Sequence, residues 1–315
     1  MYRILSLDGG GVRGLLATRL LEKIAQRQPQ FWEKFDLIAG TSTGAIPALG
    51  LAAGLTPHDL SDVYQRSCEL VFRDGVVDNL RDGFSAWGAQ YSHEGLKEVL
   101  QGLFGDKRLG DLNKKVLVPT VDLDNKPTNA QRIRQWKAKF FHNFEENGSD
   151  ADELVVDVIM RSTSAPVFFP IYQGYVDGGL VANNPSMCAL VQVLNQKQMG
   201  HSLNDLIMLS VGTGKNPKFI PDEDGDWGFS QWAFRPKSDL QPALRLPLLE
   251  MMFETSIGLA DFQCQQILGD RYHRLDPVLA KAIDLDDDKQ IGRLNQAAGR
   301  IDIDSTIAWV GDCLM

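Results

Sequence analysis

Phe35-Asp36-Leu37-Ile38-Ala39-Gly40-Thr41-Ser42-Thr43-Gly44-Ala45-Ile46 is the stretch that decides the fold of this chain. Leu37-Ile38-Ala39 is a short apolar run with the character of a buried strand, and the small apolar residues from Ala45 to Ala53 read as a buried helix. Between them stands Gly-x-Ser-x-Gly at a strand-to-helix turn, the setting that this motif requires. Gly40 and Gly44 lack a Cβ, so strand and helix can approach closely. Ser42 then stands at the tip of the turn with its hydroxyl presented. It also lies at a helix N-terminus, where free N–H groups favour developing negative charge. Small residues also pack tight turns without any chemistry, so the motif has to be weighed with its neighbours.

Upstream, Tyr2 to Leu7 reads as a first strand, running directly into Asp8-Gly9-Gly10-Gly11-Val12-Arg13-Gly14. Leu16, Leu20 and Ile24 then recur on one face of a helix that stops near Pro29. The glycine run is therefore a strand-to-helix loop. Gly9 to Gly14 matches the dinucleotide fingerprint, which wants an acidic residue at the end of the second strand. Asp36 is at the start of that strand, and its far end carries Gly40-Thr41-Ser42. The other use of such a loop is an oxyanion hole, since consecutive glycines leave main-chain N–H groups unshielded. Adjacent parallel strands would bring this loop and the Ser42 turn to the same sheet edge, where α/β proteins bind ligands. Arg13 either adds positive potential there or simply caps the loop.

Downstream, Thr56-Pro57 opens a helix, and Ser92 to Phe104 is amphipathic with Leu96, Val99, Leu100 and Leu103 on one face. The stretch between, Arg73 to Tyr91, reads as irregular. Val116–Leu123 and Ala138–Phe141 read as strands and Val155–Met160 as helix, leading into Ser162-Thr163-Ser164-Ala165-Pro166. Asp177-Gly178-Gly179 follows, a triplet that taken alone is an ordinary turn former. Ile207 to Gly214 is a buried strand with a glycine-rich exit. Beyond it, residues 216–247 read as a long proline-bearing excursion with Trp227, Phe229, Trp232 and Phe234. These aromatics are expected either to fold back over the site or to dip among lipid head groups. Leu248–Leu268 reads as helix, Arg271–Leu275 as a short strand, and Asp284–Asp288 as an acidic helix start without the glycine and distal Glu of a calcium loop. Pro47 is awkward in the helix after Ser42 unless it falls in the first turn.

Composition narrows the classes. Of 315 residues 43% are apolar, enough to bury about three quarters of the extended surface without a metal or disulfide staple. A net charge of −9, with no basic stripe, argues against nucleic acid and against strong attraction to anionic lipid. Cys68, Cys188, Cys264 and Cys313 form no C-x-x-C pair, as expected of reduced thiols in a cytoplasmic protein. No signal-like start and no apolar run of about 18 residues is present, so a soluble protein is expected.

Taken in order, the three glycine motifs resemble the patatin-like phospholipase family. They are Asp8 to Gly14, Gly40 to Gly44 and Asp177-Gly178-Gly179, joined by Ser164-Ala165-Pro166, Phe169-Pro170, Asn183-Asn184-Pro185 and Ser210 to Gly214. The resemblance implies a three-layer α/β/α domain with a mainly parallel central sheet, related to the catalytic domain of cytosolic phospholipase A2. Residues 1–315 are expected to form one domain, with its motif core in 2–215 and a less certain part in 216–315. The resemblance also implies fatty acyl ester hydrolysis by a Ser–Asp dyad. Ser42 would be the nucleophile and Asp177 the base. Gly9, Gly10, Gly11 and Arg13 would form the oxyanion hole, with Gly14, Gly40, Gly44, Gly178 and Gly179 as support.

The dyad is chemically sensible, because a carboxylate whose pKa is raised by burial can take a serine proton directly. No cofactor or metal is required. The implied partner is a phospholipid or glycerolipid, with peripheral membrane contact and no nucleic acid. Two alternatives stand beside this. A Ser–Asp–His triad could use His201 or His273, which fall in the right chain order. The same fold could also serve as an effector activated by a partner or ligand.

Overall fold

The computed structural model describes residues 1–73, 89–126, 133–144, 149–195, 199–220, 225–233 and 246–314. Most of Arg73–Tyr91, Phe234 and the side chain of Cys68 lie outside them. Its strands are β1 (Tyr2–Leu7), β2 (Leu37–Gly40), β3 (Lys115–Asp122), β4 (Lys137–His142), β5 (Tyr175–Asp177), β6 (Leu206–Val211) and β7 (Tyr272–Leu275). The sheet runs β4-β3-β2-β1-β6-β7. Its five strands from β3 to β7 are parallel neighbours, and β4 joins antiparallel at the edge.

The helices are α1 (Gly14–Arg27), α2 (Ala45–Ala52), α3 (Pro57–Arg73), α4 (Glu94–Phe104), α5 (Val155–Thr163), α6 (Gly179–Ala182), α7 (Ser186–Leu194), α8 (Phe229–Ala233), α9 (Pro247–Leu268), α10 (Ile291–Arg300) and α11 (Asp304–Leu314). They cover both faces of the sheet, which explains the apolar run of β2 and the largely apolar β6, interrupted only by Ser210. Side chains alternate between two cores. Leu5, Leu7, Ile38 and Leu209 pack with α1, α2 and α5, whereas Ile4, Leu37, Ala39 and Met208 pack with Leu190 of α7 and Cys264 of α9. The result is the three-layer α/β/α arrangement. The C-terminal third completes it: β7 pairs with β6, and Leu294 and Val310 join the first core. Pro47 is the third residue of α2, inside the first turn, so no helical hydrogen bond is lost.

One feature of the sheet positions the site. β3 is long enough to carry two partners along the same edge: β2 pairs with Lys115–Leu117, and β5 pairs antiparallel with Thr120–Asp122. β2 and β5 therefore run toward each other in one lane. Their C-terminal ends, with Ser42 just beyond one and Asp177 at the tip of the other, meet beside β3.

Candidate active site

The turn after β2 is strained where chemistry is expected. Ser42 is a non-glycine residue at φ 51°, buried at 8% exposure. Gly44 is forced by close approach, because a Cβ there would stand 2.4 Å from the Leu7 carbonyl oxygen. The Ser42 N–H donates to Ser162 Oγ at 2.9 Å, and that hydroxyl donates to the Pro119 carbonyl of β3 at 2.7 Å. The Ser162 carbonyl accepts the Gly178 N–H at 3.1 Å, so one buried serine ties both turns together. Ser162 lay in a stretch marked in the sequence, but its bridging role was not legible there.

Ser42 Oγ donates to Asp177 Oδ2 at 2.7 Å, and the other carboxylate oxygen accepts the Gly179 N–H at 2.7 Å. Asp177 is 2% exposed, and burial pushes its carboxyl up to about 7 against the pull of those two hydrogen bonds. A carboxyl in that range can accept a proton from serine near neutral pH.

The glycine loop after β1 lies alongside. Gly11, at φ +58°, sits against Leu285, whose carbonyl oxygen accepts the Val12 N–H at 2.8 Å. The Gly9 N–H is engaged by the Asn183 carbonyl at 2.9 Å and so is not available to a substrate oxygen. This corrects the assignment of Gly9 as a donor. Gly10 and Gly11 line the cavity beside Ser42, and among the described residues no acceptor takes their N–H groups. Arg13 also departs from expectation. Its buried guanidinium donates to the Gly214 carbonyl at 2.9 Å and to Glu254 at 2.6 Å. It braces the loop against the β6 exit and α9, because a buried guanidinium must find acceptors. Gly14 and Gly40 stand at close approaches to Tyr64 and to the Gly44 carbonyl.

Beneath the loop is a second buried carboxyl. Asp8 receives both terminal nitrogens of Arg274, which also contacts Ser210 Oγ at 2.7 Å and Asp276 at 2.9 Å. Burial pushes the Asp8 carboxyl up to about 7, with the Arg274 charge and hydrogen bonds pulling it down. The cluster holds Arg274 firmly in its charged form.

Ser42 and Asp177 open onto a cavity of about 880 Å³, part of it open solvent. Its wall is largely carbon, from Ile46, Val63, Leu96, Leu100, Phe168 and Phe253. The acidic run does precede a helix, but Leu285 and Asp286 also line this cavity. Trp227 and Trp232 are half-buried against each other with ring centres 5.1 Å apart, while Phe229 is exposed. None of these three lines the cavity.

The histidines named from chain order are elsewhere. His201 packs at a tilt against Tyr2 at the opposite end of β1, and His273 bonds Thr306 Oγ1 at 2.9 Å and stacks on Trp309. The nearer imidazole is His93, which meets Ser164 Oγ at 3.2 Å rather than either member of the pair. No group of three or more metal-ligating side chains is found among the described residues.

The α/β/α sheet thus carries a strained serine at a strand-to-helix turn, a carboxylate in direct contact and a glycine loop beside them. The family model for patatin-like phospholipase matches residues 5–190. The chain belongs to the patatin-like phospholipase family, and that membership supports a lipid acyl hydrolase. It is 30% identical to Protein teg of Priestia megaterium, over 88% of this chain and 87% of that one. It is also 30% identical to a cGAMP-activated phospholipase of Pseudomonas aeruginosa, over 95% and 86% of the two chains. Identity to Patatin-like protein 2 of Arabidopsis thaliana is 25%, over 85% and 72%. No helix among the described residues is long and apolar enough to cross a membrane.

Proposed function

We propose that this chain, as one catalytic unit, cleaves fatty acyl esters of phospholipids or other glycerolipids by a Ser42–Asp177 dyad. The observation that carries the reading is the 2.7 Å hydrogen bond from Ser42 Oγ to an Asp177 carboxylate raised by burial. Ser42 Oγ attacks the acyl carbonyl carbon as its proton passes to Asp177. The carbonyl oxygen becomes an oxyanion, which the Gly10 and Gly11 N–H groups stabilise. Collapse of this intermediate breaks the ester bond, and the lyso-lipid alkoxide takes the proton back from Asp177. Water, giving a proton to Asp177, then attacks the acyl-enzyme and releases the fatty acid, and the proton returns to Ser42.

The carbon-lined cavity gives the acyl chain an apolar seat, and the direct contact makes an imidazole unnecessary. A fluorophosphonate probe followed by mass spectrometry tests this. Modification of Ser42, absent in Ser42→Ala and strongly slowed in Asp177→Asn, is the expected result. Labelling of another serine, or full labelling of Asp177→Asn, overturns the assignment.

A further inference from the structure

Helix α9 has 22 residues and is about 33 Å long. Its exposed positions include Leu248, Met251, Met252, Thr255, Leu259 and Phe262, and none of its exposed positions is charged. Leu248, Met252, Thr255, Leu259 and Phe262 recur at intervals of four and three, so they share one face. Leu259 is 60% and Phe262 63% exposed, well beyond the isolated surface leucine that needs no explanation. The three carboxylates of the helix all have partners. Glu250 pairs with Lys218 at 2.8 Å, Glu254 pairs with Arg13 at 2.6 Å, and Asp261 accepts from Tyr272 OH at 3.1 Å.

The same helix also builds the cavity. Phe253, next to Met252, is buried in the wall that holds Ser42 and Asp177, and its ring lies against Gly179. One helix thus presents an uncharged, largely apolar face outward and lends Phe253 to the wall of the apolar cavity on its inner side. Phe219 extends it: 60% exposed, it lines a groove with Met251 and Thr255.

We infer that the outer face of α9 is the surface by which this protein docks on an electrically neutral lipid layer, with its axis along the interface. This deepens the acyl hydrolase reading and rests on it for the identity of the occupant. A charge-free face forms no ion pairs with head groups and gains by burying carbon. The net charge of −9 on the chain opposes anionic lipid, so the fitting partner is a zwitterionic phospholipid surface.

The test uses the full chain in two parts. Ser42→Ala, with and without Leu259→Glu and Phe262→Glu together, is sedimented with phosphatidylcholine vesicles, so docking is read independently of catalysis. The paired substitutions, remote from Ser42 and on the solvent side, are expected to cut vesicle binding tenfold or more with the melting temperature unchanged. In the Ser42 background they should lower hydrolysis of vesicle phospholipid by a similar factor and leave a short soluble ester cleaved within twofold of the unaltered chain. Unchanged vesicle binding overturns the inference, as does binding that requires anionic lipid. So does conversion of a dimer to a monomer with vesicle binding intact, which would give the face to a second copy. If the unaltered chain docks but cleaves neither substrate, the hydrolase reading fails while the docking surface stands.

Discussion

The chain contains the tripeptide Asp-Gly-Gly twice, at residues 8–10 and 177–179, and the fold puts the two copies to opposite uses. Both aspartates end a strand or follow directly on one, both are almost fully buried, and burial pushes both carboxyls up to about 7. The difference is in their partners. Asp8 meets the guanidinium of Arg274, a full counter-charge, and so holds the glycine loop to the exits of β6 and β7. Asp177 meets a neutral hydroxyl and one N–H, with no cation among its hydrogen-bond partners. Burial raises both carboxyls, but only at Asp8 does an arginine charge pull back toward the ionised form, which suits a brace, whereas the proposed base Asp177 has only neutral donors around it.

The largest effect should separate the two by chemistry. Asp177→Asn and Ser42→Ala are each expected to lower kcat/KM for ester hydrolysis by about 10³-fold or more, as members of one catalytic unit do. Circular dichroism and the melting transition should remain those of the folded protein. An Asp8→Asn variant that lost as much activity with undiminished stability would erase the distinction.

Next in size is the cost of breaking the brace. Asp8→Asn leaves Arg274 buried beside a neutral amide, with Asp276 as its remaining carboxylate, and should destabilise the fold by about 3–5 kcal/mol in denaturant titration. Arg274→Met should cost a comparable amount, because it strands Asp8 and Asp276. Asp177→Asn should cost far less. Equal losses at both sites would mean that Asp177 too is a structural ion partner.

The pH dependence sharpens the contrast. Hydrolysis of a soluble ester should rise about tenfold per pH unit below about 7, as Asp177 loses its proton, and level off above that point. Stability should run the other way at this residue. The folded carboxyl holds its proton more tightly than the unfolded chain does, so its contribution is complete below about 3.8 and is lost as pH rises toward 7. The melting temperature of Asp177→Asn minus that of the unaltered protein should therefore widen between those two pH values and then stay level. A difference that stays flat across the range would mean that Asp177 is ionised in the folded state throughout.

The smallest effects belong to the histidines. His273→Ala and His201→Ala should leave ester hydrolysis within about twofold, since their rings pack against Trp309 and Tyr2, away from the proposed dyad. Loss of activity by about four orders of magnitude in either, with the fold intact, would restore a triad and end Asp177's role as sole base. Truncation at His273 should still lower the melting temperature slightly, through lost contact with Thr306 and Trp309.

The sequence alone was enough to locate both turns and the serine. Gly40, Ser42 and Gly44, like the glycines from Gly9 to Gly14, act within a few residues of chain. Steric demands at that range leave a direct mark in residue type and spacing. Most strands and helices of residues 2–215 were legible for the same reason, through apolar period and run length, but the short strand β5 and the helices α6 and α7 were not.

Which aspartate meets a serine and which an arginine was decided only by tertiary structure, since the two tripeptides are identical and their partners lie 135 and 266 residues away. The same holds for the engagement of the Gly9 N–H by Asn183 and of the Arg13 guanidinium by Gly214 and Glu254. It holds too for the cavity wall supplied by Phe253, Leu285 and Asp286 from the C-terminal third, where the residues form no local motif. Such partners come from side chains that meet across the sheet, and nothing in the neighbouring residues of either one records the contact.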